Sequence, residues 1–230
     1  MKAIILAGGF GTRLRESVRD LPKPMAMVAG RPFLEYVLDR LVIAGINNVT
    51  LSVGYKADLI MRHFGNHYRN AQIGYAVEDK PLGTGGAMAF ALRGSGKEAV
   101  LVLNGDTFLN IDYGQLIDWY MQKPAAVAMV LREMPDTGRY GSVVVSGEHV
   151  AGFVEKGRVG SGLINAGVYI LKPDVFTSFG LFGKFSFETD VLQAHCRELS
   201  PRAFLTSAYF VDIGLPDDYE RAQYELPAIV

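Results

Sequence analysis

A chain of 230 residues that is 49% hydrophobic can bury a core on the scale of one large domain without disulfide staples. Its 23 basic and 24 acidic side chains leave a net charge of −1, which excludes the broad positive surface that nucleic acid or an anionic membrane demands. The lone Cys196 rules out an internal disulfide and suits a reducing cytoplasm, and neither a leader nor an apolar run of about 18 residues argues for export or membrane spanning.

Residues 3–7 are an unbroken small and apolar run, the pattern of a central strand buried on both faces. Gly8, Gly9 and Gly11 follow within four positions, then Arg13, and ten residues later Lys23 stands between Pro22 and Pro24. Bare glycine backbone admits an anion closely, and two cations beside it make a polyphosphate cradle. Neither familiar phosphate loop fits: there is no Gly-Lys-Ser/Thr, and Leu14 stands where a dinucleotide fingerprint needs its third glycine.

The spacing predicts a helix over 31–44 stopped by Gly45, a strand over 49–53 and a helix over 56–64. A strand over 73–77, an alanine-rich helix over 84–92 and an apolar strand over 99–103 follow, the last running into Asn104-Gly105-Asp106. This alternation predicts an α/β sandwich of three layers: a mostly parallel, Rossmann-like mixed sheet with helices on both faces. Ligands of such sheets sit beyond the carboxyl ends of the strands, so the cradle and Asp106 should converge.

The second half reads differently. Strands over 126–131, 142–145, 150–154 and 163–171 lie close together, as antiparallel additions forming a small lid. Trp119 and Tyr120 pack a helix, 186–198 is helical with Ser186 and Thr189 as caps, and a final strand reaches Asp212 before a helix over 216–224. His63 and His67 are four apart but lack a carboxylate-histidine motif, and adjacent His195 and Cys196 point to different helix faces.

Asp106 and Asp212 each end an apolar strand beside a glycine, Gly105 or Gly214. An aspartate at such a place can simply cap a turn. If both face one crevice they repel, unless a Mg²⁺ held by carboxylates, phosphates and water lies between them.

LAGGFGTRLR and LPKPM together resemble the signature of the sugar-1-phosphate nucleotidylyltransferases, and the resemblance runs on through Pro81-Leu82-Gly83-Thr84-Gly85-Gly86, Asn104-Gly105-Asp106, Phe153-Val154-Glu155-Lys156, Asn165-Ala166-Gly167 and Val211-Asp212-Ile213-Gly214. It implies the nucleotide-diphospho-sugar transferase fold in one domain, 1–110 for the nucleotide and 111–230 for the sugar phosphate, without the C-terminal β-helix of many relatives. It also implies Asp106 and Asp212 as Mg²⁺ ligands, Arg13 on the departing pyrophosphate, Lys23 on the α-phosphate and Lys156 on the sugar phosphate. Leu6, Ala7, Gly8, Gly9, Gly11, Glu78, Pro81, Gly83, Thr84, Asn104 and Gly105 would bind the nucleotide. Gly141, Glu155 and Asn165 would bind the sugar.

The same resemblance sets Glu78 against the base. A carboxylate matches the adjacent N–H and NH₂ of guanine and repels adenine and cytosine, with uracil left open. Within the family GGFGTRLR, PKPM, PFLEY, LSVGYK and PLGTGGA look most like the heptose 1-phosphate guanylyltransferases, implying GTP and a heptose 1-phosphate as substrates and capsule or lipopolysaccharide precursors as products. Mannose 1-phosphate guanylyltransferases, N-acetylmuramate 1-phosphate uridylyltransferases and a non-catalytic nucleotide-sugar sensor remain alternatives, and oligomeric state, a homodimer included, is open.

Overall fold

The computed structural model describes residues 1–9, 21–157 and 160–229; Gly11 and Arg13 lie outside the described residues. In chain order come β1 (Ala3–Leu6), a 3-10 turn at Lys23–Met25, a small ribbon of β2 (Met27–Val28) and β3 (Arg31–Pro32), α1 (Phe33–Ile43), β4 (Asn48–Val53), α2 (Ala57–Phe64), β5 (His67–Tyr68), β6 (Ala71–Val77) and α3 (Gly83–Ala91). Then follow β7 (Val100–Asn104), β8 (Thr107–Leu109), α4 (Tyr113–Gln122), β9 (Val127–Met134), β10 (Ser142–Ser146), β11 (His149–Val154) and β12 (Gly162–Leu171). The chain closes through α5 (Val175–Ser178), a π-helical segment at Phe187–Gln193, α6 (Cys196–Leu199), β13 (Arg202–Thr206), β14 (Phe210–Asp212) and α7 (Pro216–Ile229).

Ten strands form one mixed sheet in the order β10-β11-β13-β9-β12-β7-β1-β4-β6-β5. Its parallel centre is β7-β1-β4-β6, with Leu6 level with both Ser52 and Asn104. β12 then runs antiparallel to β7 and to β9, so the second half extends the same sheet. The β10–β11 hairpin lies at its margin and also touches β12 through Val143 and Leu163.

Alternation along the strands loads two cores. Ala3, Ile5, Leu101 and Leu103 face one side, under α1, α2, α4 and α7, while Ile4, Val100 and Val102 face the other, under α3, α5 and the π-helical segment. These are the three layers that the alternating pattern predicts. Buried Tyr120 anchors α4, and the Arg202 guanidinium lies 4.0 Å over the Trp119 ring.

Several elements differ from the reading of the sequence, among them β9, which runs on to Met134, and β13, which was not foreseen. α1 starts two residues later, because Arg31 and Pro32 pair with Met27 and Val28. The 186–198 stretch is a π-helical segment followed by α6, although Ser186 does cap it by accepting from the Thr189 N–H at 3.2 Å. α7 runs five residues beyond 224, to Ile229, held by the fully buried Leu226. Among the described residues no helix is long and apolar enough to cross a membrane.

Candidate active site

The site begins where the parallel strands end. Beyond β1 the chain keeps to β4: the Ala7 N–H donates to the Ser52 carbonyl at 2.7 Å and Tyr55 N–H to the Gly8 carbonyl at 3.5 Å. On the other side Gly105 N–H donates to the Leu6 carbonyl at 2.9 Å. A Cβ on Gly105 would stand 2.6 Å from that oxygen, so only glycine permits this approach. Three strand ends thus open onto one cavity of about 520 Å³.

Eleven of the residues singled out in the sequence line that cavity: Leu6, Gly8, Gly9, Lys23, Glu78, Pro81, Gly83, Thr84, Asn104, Asp106 and Asp212. Ala7 and Gly105 support it from behind through the backbone bonds above. Pro24 and Gly214, named in the sequence only as neighbours of Lys23 and Asp212, line it too, and so do Ser52 and Ala87, which were not anticipated. β4 alternates polar and apolar residues through Asn48, Thr50 and Ser52, so nothing in its pattern singled out Ser52.

Asp106 and Asp212 meet by a route the parallel sheet does not supply. Asp212 ends β14, which pairs antiparallel with β8 as a separate ribbon and sets Asp212 opposite Thr107, the neighbour of Asp106. The Ile213 N–H donates to the Asp106 carbonyl at 3.1 Å and closes the ribbon's end. Between the two carboxylates stands Lys23, held by its proline-flanked turn with Pro24 and Met25 buried. Its ammonium donates to Asp106 Oδ2 at 2.7 Å and to Asp212 Oδ1 at 3.3 Å. Burial, and next the charge of Asp106, push the Asp212 carboxyl above the ordinary carboxylate range, against the opposing pull of Lys23.

This donor set fits a small divalent cation. Two carboxylates converge on one place, and a positive group already fills it. Among the described residues no third histidine, cysteine or acidic side chain joins them. The remaining ligands would be substrate phosphates and water, as magnesium commonly accepts.

Glu78 closes the opposite wall. Its Oε1 accepts from the Ser52 hydroxyl at 3.4 Å and its Oε2 from the Leu82 N–H at 3.0 Å. Each oxygen keeps a further lone pair, so the carboxylate can still accept two parallel bonds from a ligand.

Behind the lining residues Gly83, Thr84 and Ala87, the first turn of α3 packs through its glycines. Gly85 and Gly86 N–H both donate to the Phe185 carbonyl, at 3.1 and 3.2 Å, and a Cβ on Gly85 would fall 2.3 Å from the Phe185 ring. Thr84 is committed inward as well, donating to Glu188 and accepting from the Phe187 N–H at 2.9 Å. Glu188 was not foreseen; its pairing spans 104 residues of sequence.

The residues read as a sugar site gather elsewhere. Gly141, Glu155, Lys156 and Asn165 do not line the cavity. Gly141 lies against Val154 and Lys156, where a Cβ would come 2.9 Å from the Val154 carbonyl. Glu155 lines a separate hollow with Gln193 and His195. Asn165 spends its amide internally, donating to the Tyr169 hydroxyl at 2.7 Å and accepting from Gly167 N–H at 3.0 Å. The Arg139–Asp218 ion pair pins the neighbouring loop to α7. Gly167 abuts Asn104, whose buried Oδ1 has no partner among the described residues, and the Thr107 hydroxyl donates to the Ala166 carbonyl at 3.5 Å, so the two groups are joined.

His63 pairs with Glu35 at 2.8 Å, not with His67. His195 stacks on Phe179 with ring centroids 4.0 Å apart, and Cys196 is buried.

Residues 2–228 match the family model described as Nucleotidyl transferase. The chain is 43% identical to a D-glycero-alpha-D-manno-heptose 1-phosphate guanylyltransferase of Aneurinibacillus thermoaerophilus over 226 residues, covering 98% of each protein. Similarity to the protein so named in Campylobacter jejuni is also 43%, over 95% of this chain and 97% of the other. A crystal structure of HddC from Yersinia pseudotuberculosis complexed with GMP-PN matches with a TM-score of 0.85 at 38% identity, covering 96% of this chain and 97% of that one.

Proposed function

The chain belongs to the nucleotidyl transferase family, with the nucleotide-diphospho-sugar transferase fold, and from that premise we propose that it transfers GMP from GTP to D-glycero-α-D-manno-heptose 1-phosphate, releasing pyrophosphate. The observation that carries the chemistry is the convergence of Asp106, Asp212 and Lys23 under the ends of β1 and β7. Likeness to the heptose enzymes over nearly the whole chain supports the choice of substrates.

Both reactants are anions, so attack of the sugar phosphate oxygen on the α-phosphorus needs neutralisation and alignment rather than a covalent enzyme intermediate. Asp106 and Asp212 would hold Mg²⁺, which when bound supplies positive charge against the triphosphate. Lys23 lies within reach of the same place and is assigned to the α-phosphate oxygens. Arg13, outside the described residues, is assigned to the departing pyrophosphate. Gly8, Gly9 and Gly11 give the backbone beside the phosphates. The free lone pairs of Glu78 are assigned to the guanine N–H and NH₂.

Lys156 is assigned to the sugar phosphate, and Glu155, Asn165 and the backbone at Gly141 to the sugar hydroxyls. Residues 1–110 then serve the nucleotide and 111–230 the sugar phosphate within one domain. The proposed setting is cytoplasmic synthesis of a capsule or lipopolysaccharide precursor.

The test is pyrophosphate release with GTP, UTP, ATP and CTP against heptose and mannose 1-phosphates. Turnover should be highest for GTP with the heptose and vanish with EDTA. Preference for mannose 1-phosphate would overturn the sugar, and equal use of UTP would overturn the base.

A further inference from the structure

The proposed roles leave one observation unused: at the cavity wall the Lys23 ammonium is bonded to two carboxylates. Its side chain is only 11% exposed, and it touches both Asp106 and Asp212. The bare Cα of Gly214 gives it room, since a Cβ there would come 2.6 Å from Nζ. The Gly214 N–H also donates to Asp212 Oδ1 at 2.7 Å, fixing the oxygen that the ammonium meets. Two carboxylates brought this close need a cation between them, and here a side chain provides it.

We propose that Lys23 is a resident countercation: a divalent ion enters between Asp106 and Asp212 only in exchange for the ammonium, which moves onto the phosphates of the arriving nucleotide. The inference rests on the reading of Asp106 and Asp212 as the metal pair. With the ammonium left in place, a divalent ion would crowd against a like charge that already bridges the two carboxylates. An ion arriving alone must expel Lys23 into solvent with no new partner. An ion arriving with a triphosphate offers that ammonium anionic oxygens in return. Free metal therefore binds weakly, and metal and nucleotide load together.

Titration of the nucleotide-free protein with Mn²⁺, followed by the resonance of the free ion, tests the exchange. Lys23→Met and Lys23→Gln should each bind Mn²⁺ about tenfold more tightly than the parent chain, and Lys23→Arg should stay weak. Adding Asp106→Asn to Lys23→Met should abolish the gain. Unchanged affinity in both neutral variants, with Asp106→Asn alone still lowering it, overturns the exchange and spares the metal pair. A double variant as tight as Lys23→Met overturns the metal pair itself. Should the neutral variants fail to fold, the unmodified protein suffices. Saturating Mn²⁺ without nucleotide should raise the acylation rate of the Lys23 amine, read by mass spectrometry, and an unchanged rate with Mn²⁺ bound overturns the exchange.

Discussion

The two halves of the candidate site are built on different principles. On the nucleotide side, strand ends at Leu6, Ser52, Asn104 and Glu78 open onto one cavity with polar atoms facing inward. On the sugar side, Asn165 bonds Tyr169 and Gly167, Arg139 bonds Asp218, and Glu155 lines another hollow. Parallel topology gathers the carboxyl ends of strands whether or not a ligand is bound. The antiparallel β10–β11 hairpin and the bulged strand β12 have no such built-in convergence, so the polar groups there satisfy one another. The bulge is concrete: the β9–β12 register breaks between Asn165 and Tyr169, and Gly167 takes a φ of +71° there.

That contrast breaks most easily at its preassembled end. Asp106→Asn should lower kcat by about a hundredfold or more while circular dichroism stays native, since it removes charge aimed at the reacting phosphates. Full turnover in that variant would leave the converged carboxylates without a catalytic purpose. Glu78→Gln should move the GTP-to-UTP ratio of kcat/KM toward UTP by about 1–3 kcal/mol, the usual worth of a bidentate base contact. A ratio that does not move would mean the wall formed by Ser52, Leu82 and Glu78 holds only itself.

The same division explains what was legible in the sequence. Apolar runs and glycine stops located β1, β4, β6 and β7, and Gly45, at φ +73°, ends α1 as its position suggests. Local pattern could also mark Asp106 and Asp212 as strand ends. It could not show that β8 and β14, about a hundred residues apart, form the ribbon that joins them. Nor could it reveal β13, which enters parallel beside β9, because its apolar run is only Ala203, Phe204 and Leu205, between Arg202 and Thr206. Gly83 reads as a nucleotide-binding residue and does line the cavity, but the chain that packs on it and on Gly85 and Gly86 is Phe185 and Gly183. Such pairings are tertiary, and composition carries no trace of them.

On the sugar side the expected effects are smaller and divide differently. Asn165→Ala leaves the Gly167 N–H and the Tyr169 hydroxyl without their partner, so stability should fall by about 1 kcal/mol in urea unfolding. KM for the sugar 1-phosphate should rise several-fold while KM for GTP holds. Equal rises in both would show that the bulge shapes the nucleotide cavity too, through the contact of Gly167 with Asn104, and the two halves would no longer be separable.

The smallest effect concerns stability, and its sign is opposite to that of an ordinary ion pair. Burial and the nearby Asp106 raise the Asp212 carboxyl above its unfolded value, so the folded chain takes up this proton more readily than the unfolded one. Ionised Asp212 is thus held at a cost to the fold at neutral pH, a cost relieved as pH falls through the raised value. Asp212→Asn removes it and keeps an oxygen that can accept from Gly214 N–H and from Lys23. The variant should melt at or above the parent temperature at neutral pH, where about 1 kcal/mol corresponds to about 2–4 °C. The gap should narrow on acidification, as the parent carboxyl becomes neutral in its turn. Melting several degrees lower at neutral pH would show that the Lys23 bridge outweighs the repulsion, and the nucleotide side would then be a pinned structure rather than one strained in readiness for its ligand.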